Sequence, residues 1–177
     1  MNRYRMYGDL NRAKADIQVV KGLMGAQCSI LYDRIVRSEI HKLRGASDEQ
    51  LQLLDKDSTE KRGRWFEDEH LEIEGVGDNP LLKAYQVLLK KLGIKKDEAP
   101  IIRRNDKEIV FRSMNSCPTL EACKVLGLEP RKICKLYNEG ATDALVKLVD
   151  PRLEFGRNYA RMRPEYEYCE EIIRHKA

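Results

Sequence analysis

Apolar residues recur at steps of three and four residues through the first half of the chain, which is the spacing of amphipathic helices. One stripe predicts a long helix from about Asp9 to Leu43. Gly45 has the form of a helix end, and the segment Ser47 to Gln50 has the form of a capping box that starts the next helix. The pattern then predicts helix over roughly Ser58 to Glu72.

A third helix is predicted between Asn79 and Gly93. Asn79 precedes Pro80, the order typical of an N-cap followed by proline at the first helical position, and Gly93 ends the apolar stripe. From Pro100 onward the spacing of apolar residues changes from a period of about 3.6 to a period of 2, which indicates β-strands.

The last third of the chain predicts a strand, two helices and two further strands. These cover the surroundings of Ile109 and Phe111, then Pro118 to Leu126, Pro130 to Val149, Leu153 to Tyr159, and Tyr166 to Arg174. No βαβ alternation runs through the chain, so the sequence predicts an α+β fold with a small antiparallel sheet. We expect a helical region (1–95) and a cysteine-containing α+β region (96–177) to form one compact domain.

Charge is mildly asymmetric along the 177 residues, whose net charge is +4. The first 75 residues carry 13 basic and 14 acidic side chains, and the remaining 102 carry 20 and 15. A basic excess of this size suits a small anionic ligand. Because aromatic residues are not interleaved with the basic runs, we do not expect nucleic acid as a partner.

The five cysteines are the strongest candidates for catalysis or ligand binding in this sequence. No apolar leader follows the N-terminal charges, and no run of apolar residues is long enough to span a membrane, so we expect a cytoplasmic protein. In a reducing compartment cysteines are expected to be free thiols, ligands or nucleophiles rather than a disulfide framework.

Cys117 is the first candidate for a catalytic group, because it directly precedes Pro118 at a predicted helix start. The partial positive charge of a helix N-terminus favours a thiolate, and the unpaired N–H groups there can stabilise an oxyanion. A buried residue that closes the turn explains the position equally well, since burial would raise the thiol pKa.

The other cysteines differ in their expected roles. Cys28 and Cys123 lie on predicted helix stripes and are expected to fill the core. Cys169, the second catalytic candidate, can reach Cys117 across an antiparallel sheet, and Cys134 is a candidate ligand-binding residue near the core border. No metal or other cofactor is expected. The alternative is zinc held by Cys117, Cys134 and Cys169, although the chain lacks the C-x2-C spacing of typical sites.

Arginines recur before Cys169 at Arg157, Arg161 and Arg163. They are spaced by four and two residues, and these even spacings predict that they share one face of a strand, where a guanidinium could bind a carboxylate in a bidentate manner. We therefore take Arg161 and Arg163 as candidate ligand-binding residues, although a solvated outer face would show the same spacing.

Three runs of the chain from Phe111 onward resemble the L-2-amino-thiazoline-4-carboxylic acid hydrolase-like family and, more loosely, vinyl-4-reductase-like ligand-binding domains. The runs are "FRSMNSCPTLEACKVLGL", "ICKLYNEGATDALVKLVDPRLEF" and "RMRPEYEYCEEI", and their matching residues are Cys117, Cys134, Asp150, Pro151, Cys169 and Glu170. The resemblance implies hydrolytic opening of a small cyclic amidine or thiazoline carboxylate. Cys117 would be the nucleophile and an arginine the carboxylate anchor.

Two classes of function follow from these observations. One is a hydrolase-like enzyme of small anionic substrates, and the alternative is a non-enzymatic small-molecule or metal sensor that uses the cysteine cluster. The long first helix carries an apolar stripe that needs a partner surface, which favours a homodimer formed through the N-terminal helices.

Overall fold

Helices precede and flank an antiparallel sheet in the computed structural model, which describes residues 32–68 and 78–176. In this part of the chain the helices are α1 (described over 32–43), α2 (Asp48–Asp68), α3 (Pro80–Leu92), α4 (Pro118–Leu126), α5 (Pro130–Tyr137) and α6 (Glu139–Val149). The strands are β1 (Ile101–Arg104), β2 (Glu108–Ser113), β3 (Leu153–Arg157) and β4 (Cys169–His175). The predicted α+β class is confirmed.

The four strands lie in the order β1-β2-β4-β3, and every neighbouring pair is antiparallel. The strand predicted around Ile109, the strand at Phe155 and the strand at Cys169 are all present. Their register is what matters for the site. Ser113 pairs with Cys169, and Glu171 pairs with Arg157 on its other side.

Local sequence signals account for several helix ends. The Asn79 side chain accepts a hydrogen bond from the Leu82 N–H at 3.0 Å, and Gly93 ends α3 with φ at 64°. That left-handed conformation costs glycine little. The predicted capping box is also present, since the N–H of Ser47 donates to Gln50 Oε1 at 2.8 Å and the N–H of Gln50 donates to Ser47 Oγ at 3.3 Å.

The main core lies between one face of the sheet and helices α3 and α6. Phe111 of β2 and Tyr85 of α3 meet there edge to face, with ring centroids 5.2 Å apart. A second apolar cluster joins Leu43, Leu51 and Ile133 from α1, α2 and α5. Residues on both sides of the predicted boundary at 95 therefore contribute to the same cores.

Two predicted helices have different bounds in the structure, and one strand was not predicted. The helix expected over 130–149 is two helices that meet at Asn138, and α2 already begins at Asp48. Strand β1 was missed because "IIRR" carries two exposed charges in four residues at the edge of the sheet.

Some predictions lie outside the described residues, namely the first helix before residue 32, Cys28, and the end of the second helix beyond residue 68. None of the described helices combines the length and the apolar character needed to cross a membrane.

Candidate functional site

A cavity of about 190 Å³ lies where the ends of β2, β3 and β4 meet the start of α4. Helices α2, α5 and α6 and the loop after α3 close its other walls. Three thiols, three guanidinium groups and one carboxylate line it, and these belong to Cys117, Cys134, Cys169, Arg62, Arg157, Arg163 and Glu171. The structure thus brings together the three cysteines that the sequence singled out.

The sheet register explains how these side chains meet. Alternate residues of a strand face the same side, so Cys169 and Glu171 of β4 share a face with Ile173, which is fully buried in the core. Ser113 lies opposite Cys169 and Arg157 lies opposite Glu171. The apolar core face of the sheet therefore becomes polar at the end that borders α4.

Cys117 occupies the N-cap position of α4, as predicted, but makes no capping hydrogen bond through its side chain. Burial raises the pKa of its thiol above the ordinary value, although the amide of Leu120 and the guanidinium groups of Arg163 and Arg157 act in the opposite direction. Desolvation thus acts against the helix end and both arginines, in the direction of the alternative in which Cys117 is a buried residue that closes the turn, and the catalytic role of Cys117 stays a prediction.

The remaining described cysteines are also free thiols. Burial raises the pKa of Cys134 to about 12, and Arg157 only partly opposes this effect. Cys123 lies in the second apolar cluster with 1% exposure, as expected for a core residue, and it does not line the cavity. Burial raises its pKa to about 11.

Arg157 and Glu171 form the most buried ion pair of the site. Arg157 Nε donates to Glu171 Oε1 at 2.8 Å, and the two side chains are only 12% and 9% exposed. Ser113 Oγ donates to the other carboxylate oxygen at 2.6 Å. Burial works against the charge of Arg157, but the charge and hydrogen bond of Glu171, together with Cys134 and Tyr159, raise the pKa of the guanidinium. Arg157 Nη1 is nevertheless buried without a hydrogen-bond partner.

Arg163 and Arg62 are held by neutral groups, which for the Arg163 guanidinium include the Cys169 thiol. Arg163 Nη1 donates to the Asn115 carbonyl oxygen at 2.6 Å, whereas its Nε is buried without a partner. Arg62 Nη1 donates to Thr142 Oγ1 at 2.8 Å. Neither guanidinium forms a salt bridge with any carboxylate in residues 32–68 or 78–176. Neither cation therefore has a salt-bridge partner of its own among the described residues, although the charge of Asp55 acts on Arg62 and that of Glu171 acts on both.

Arg161, the other predicted ligand-binding arginine, does not line the cavity. Its side chain is 52% exposed and lies 3.5 Å from Glu170 Oε2. The prediction rested on continuous strand alternation, but β3 ends at Arg157 and the chain to Cys169 has no strand pairing. Side chains alternate in direction only within a strand, so beyond Arg157 the even spacing of Arg161 and Arg163 does not place them in the same surroundings.

Arg62 and Glu171 were missed as site residues, and Arg157 was noted but not selected. A signal for Arg62 exists in the sequence. Arg62 lies on the same stripe of half-buried positions along α2 as Leu54 and Phe66, where a charged residue is unusual. The signal for Glu171 is its strand parity with Cys169 and the apolar Ile173.

Metal ligation was the alternative for the three cavity cysteines. Within the described part of the chain, no group of three or more cysteine, histidine, aspartate or glutamate side chains is arranged to hold a metal ion. The zinc alternative therefore gains no geometric support from these residues.

Comparison of the sequence with known protein families and with curated proteins finds no match. The resemblance noted from Phe111 onward stays a prediction, and the site must be interpreted from its own chemistry.

Proposed function

We propose that this protein binds a small organic anion, in the first instance a carboxylate, in the cavity beside α4. The observation that carries the proposal is the pair of buried guanidinium nitrogens, Arg157 Nη1 and Arg163 Nε, that have no hydrogen-bond partner. Buried donors are nearly always satisfied in native proteins, so unpaired ones at a cavity favour a ligand that completes them. A carboxylate is the acceptor that matches guanidinium donors best.

The cavity volume sets the size of the ligand. An apolar cavity of roughly 150 Å³ accommodates benzene, and the cavity here measures about 190 Å³. This supports a ligand of roughly seven to ten non-hydrogen atoms. A small ring that bears a carboxylate, or a short aliphatic acid, has the size that the cavity allows and the charge that the guanidinium groups require.

Hydrolysis of such a ligand is the second candidate, supported by the position of Cys117 in the same cavity at the N-terminus of α4 and by the resemblance to the thiazoline-carboxylate hydrolase-like family. The Cys117 thiol would add across the C=N bond of a cyclic amidine, so that sulfur bonds to carbon and the proton passes to nitrogen. The ring bond from that carbon to its leaving heteroatom then breaks, and this heteroatom takes up a proton from nitrogen. Water finally replaces sulfur on the carbon, and the thiol is regenerated.

Calorimetric titration of the full chain with a panel of small carboxylates tests the binding proposal. We expect binding by the wild type, and a loss of roughly tenfold or more in affinity in Arg163→Gln, because a charge-assisted hydrogen bond is removed. Arg161→Gln is the matched control, two residues away and outside the cavity, and should bind as the wild type does. If no carboxylate of the panel binds, the proposal is wrong.

Hydrolysis is tested separately with a cyclic amidine carboxylate as substrate and mass spectrometry of the products. Cys117→Ser should retain binding and lose turnover, whereas Cys123→Ala should keep both. Wild-type protein that binds the compound but leaves it intact would exclude the second candidate and leave the binding proposal standing.

A further inference from the structure

The charges that line the cavity do not balance. Among the described residues that line it, three guanidinium groups, of Arg62, Arg157 and Arg163, face a single carboxylate, that of Glu171. Glu171 already accepts hydrogen bonds from Arg157 and from Ser113, one on each carboxylate oxygen. The lining therefore carries two positive charges in excess.

The two cations that form no salt bridge with a described carboxylate lie on different walls of the cavity. Arg62 belongs to α2 and is held by Thr142 of α6. Arg163 belongs to the segment between β3 and β4 and is held by the Asn115 carbonyl oxygen just before α4. A single carboxylate has two oxygens about 2.2 Å apart and can be bound from one side by one guanidinium or by two adjacent ones. A guanidinium on another wall of the cavity is not neutralised by that carboxylate.

Arg62 is also in an unfavourable electrostatic setting. Burial lowers the pKa of its guanidinium, and the nearby positive charge of Arg157 lowers it further, although the charges of Asp55 and Glu171 act in the opposite direction. Two like charges that share a partly desolvated site repel each other strongly unless an anion lies between them or beside them.

We propose that the cavity takes a ligand with two separate anionic groups, a small dicarboxylate, one group bound by Arg157 and Arg163 and the other by Arg62. This inference rests on the proposed function and specifies its ligand class. The first group satisfies the two buried unpartnered nitrogens, and the second neutralises the cation on α2. A chain of about eight non-hydrogen atoms, such as succinate, fits the cavity volume given above.

Succinate and succinamate form a matched pair of probes, because they have the same shape and differ in the charge of one terminal group. Both are titrated calorimetrically into the full chain at the same ionic strength and neutral pH. We expect succinate to bind roughly tenfold more tightly or better, the effect of one charge-assisted contact. Equal affinity for the two probes would overturn the dicarboxylate assignment while leaving anion binding intact. If neither probe nor any other carboxylate binds, the proposed function fails as well.

Variants of Arg62 locate the second group. Arg62→Gln should abolish the preference for succinate and leave the affinity for succinamate within about twofold, since the amide gains little from a cation. Arg62→Lys retains the charge and should restore much of the preference, and Arg161→Gln should keep all of it. Retention of the full preference in a folded Arg62→Gln protein would contradict the assignment of Arg62. Should that variant not fold, the comparison of the two probes on the wild type decides the question.

Discussion

Glu171 is the residue on which the electrostatics of the cavity depend. It is the only carboxylate in the described part of the lining, it is 9% exposed on its side chain, and it holds Arg157 and Ser113 together across two strand pairs. Its removal should therefore affect both the stability of the fold and the affinity for anions.

Glu171→Gln should destabilise the protein by about 3 kcal/mol or more, because it leaves the buried charge of Arg157 uncompensated. The same change removes the negative charge of the described cavity lining, so carboxylate binding should become tighter. Denaturant unfolding and calorimetric titration measure the two effects. Glu165→Gln is the control, since Glu165 is 48% exposed and its pair with Arg131 lies on the surface, where such pairs contribute little. Unchanged stability in Glu171→Gln would show that Arg157 does not depend on this partner.

The reactivity of Cys117 follows from its burial. Since the pKa of this thiol is raised above its ordinary value, the fraction of thiolate is small at neutral pH and grows only as the pH rises through the raised pKa. Alkylation by iodoacetamide, mapped by mass spectrometry at a series of pH values, should reach its midpoint at a higher pH for Cys117 than for a free cysteine. A midpoint well below that of free cysteine would restore the thiolate at the helix terminus that the sequence first indicated.

The junction between helices α5 and α6 depends on a contact between residues far apart in the sequence. The Asn138 side chain does not cap α6. Asp55 of α2 does so from another helix, since its Oδ1 accepts a hydrogen bond from the Ala141 N–H at 3.0 Å. A β-carbon on Gly140 would overlap the Asp55 carboxylate, so glycine at this position permits the approach of α2.

Gly140→Ala should push Asp55 away from the start of α6 and cost about 1–2 kcal/mol, the usual effect of losing an N-terminal cap. Gly63→Ala is the matched control on α2, because no atom lies near the added methyl group. Alanine there should stabilise the helix by about 0.5–1 kcal/mol. Thermal unfolding of both variants checks the pair. Equal stabilisation by the two substitutions would show that the hydrogen bond from the Ala141 N–H to Asp55 does not stabilise the protein.

Signals that act within a few residues were readable from the sequence. The caps at Ser47 and Asn79, the turn at Gly93 and the strand at Cys169 all depend on neighbours in the chain. The break at Asn138 and the edge strand at Ile101 were not readable, because the first is fixed by Asp55 of a distant helix and the second by backbone pairing with β2.

Both halves of the chain contribute residues to the cavity. Arg62 reaches it from the helical region, and the thiols, Arg157 and Arg163 reach it from the sheet and its adjoining helices. The convergence of Cys117 with Cys169 was predictable from antiparallel pairing, whereas the arrival of Arg62 depends on how α2 packs against α6. The homodimer expected from the first helix stays a prediction, since most of that helix lies outside the described residues.

If the unpartnered Arg163 Nε–H is a ligand donor, as proposed, its nuclear magnetic resonance signal responds to the ligand. The Arg163 and Arg161 Nε–H signals are assigned in ¹⁵N-labelled protein by their loss in the Arg163→Lys and Arg161→Lys variants, and succinate is then titrated. We expect a saturable downfield shift of the Arg163 signal, because a buried free N–H gains an acceptor, and no shift of the exposed Arg161 signal. An unmoved Arg163 signal at concentrations where calorimetry shows succinate bound would show that this N–H does not contact the ligand.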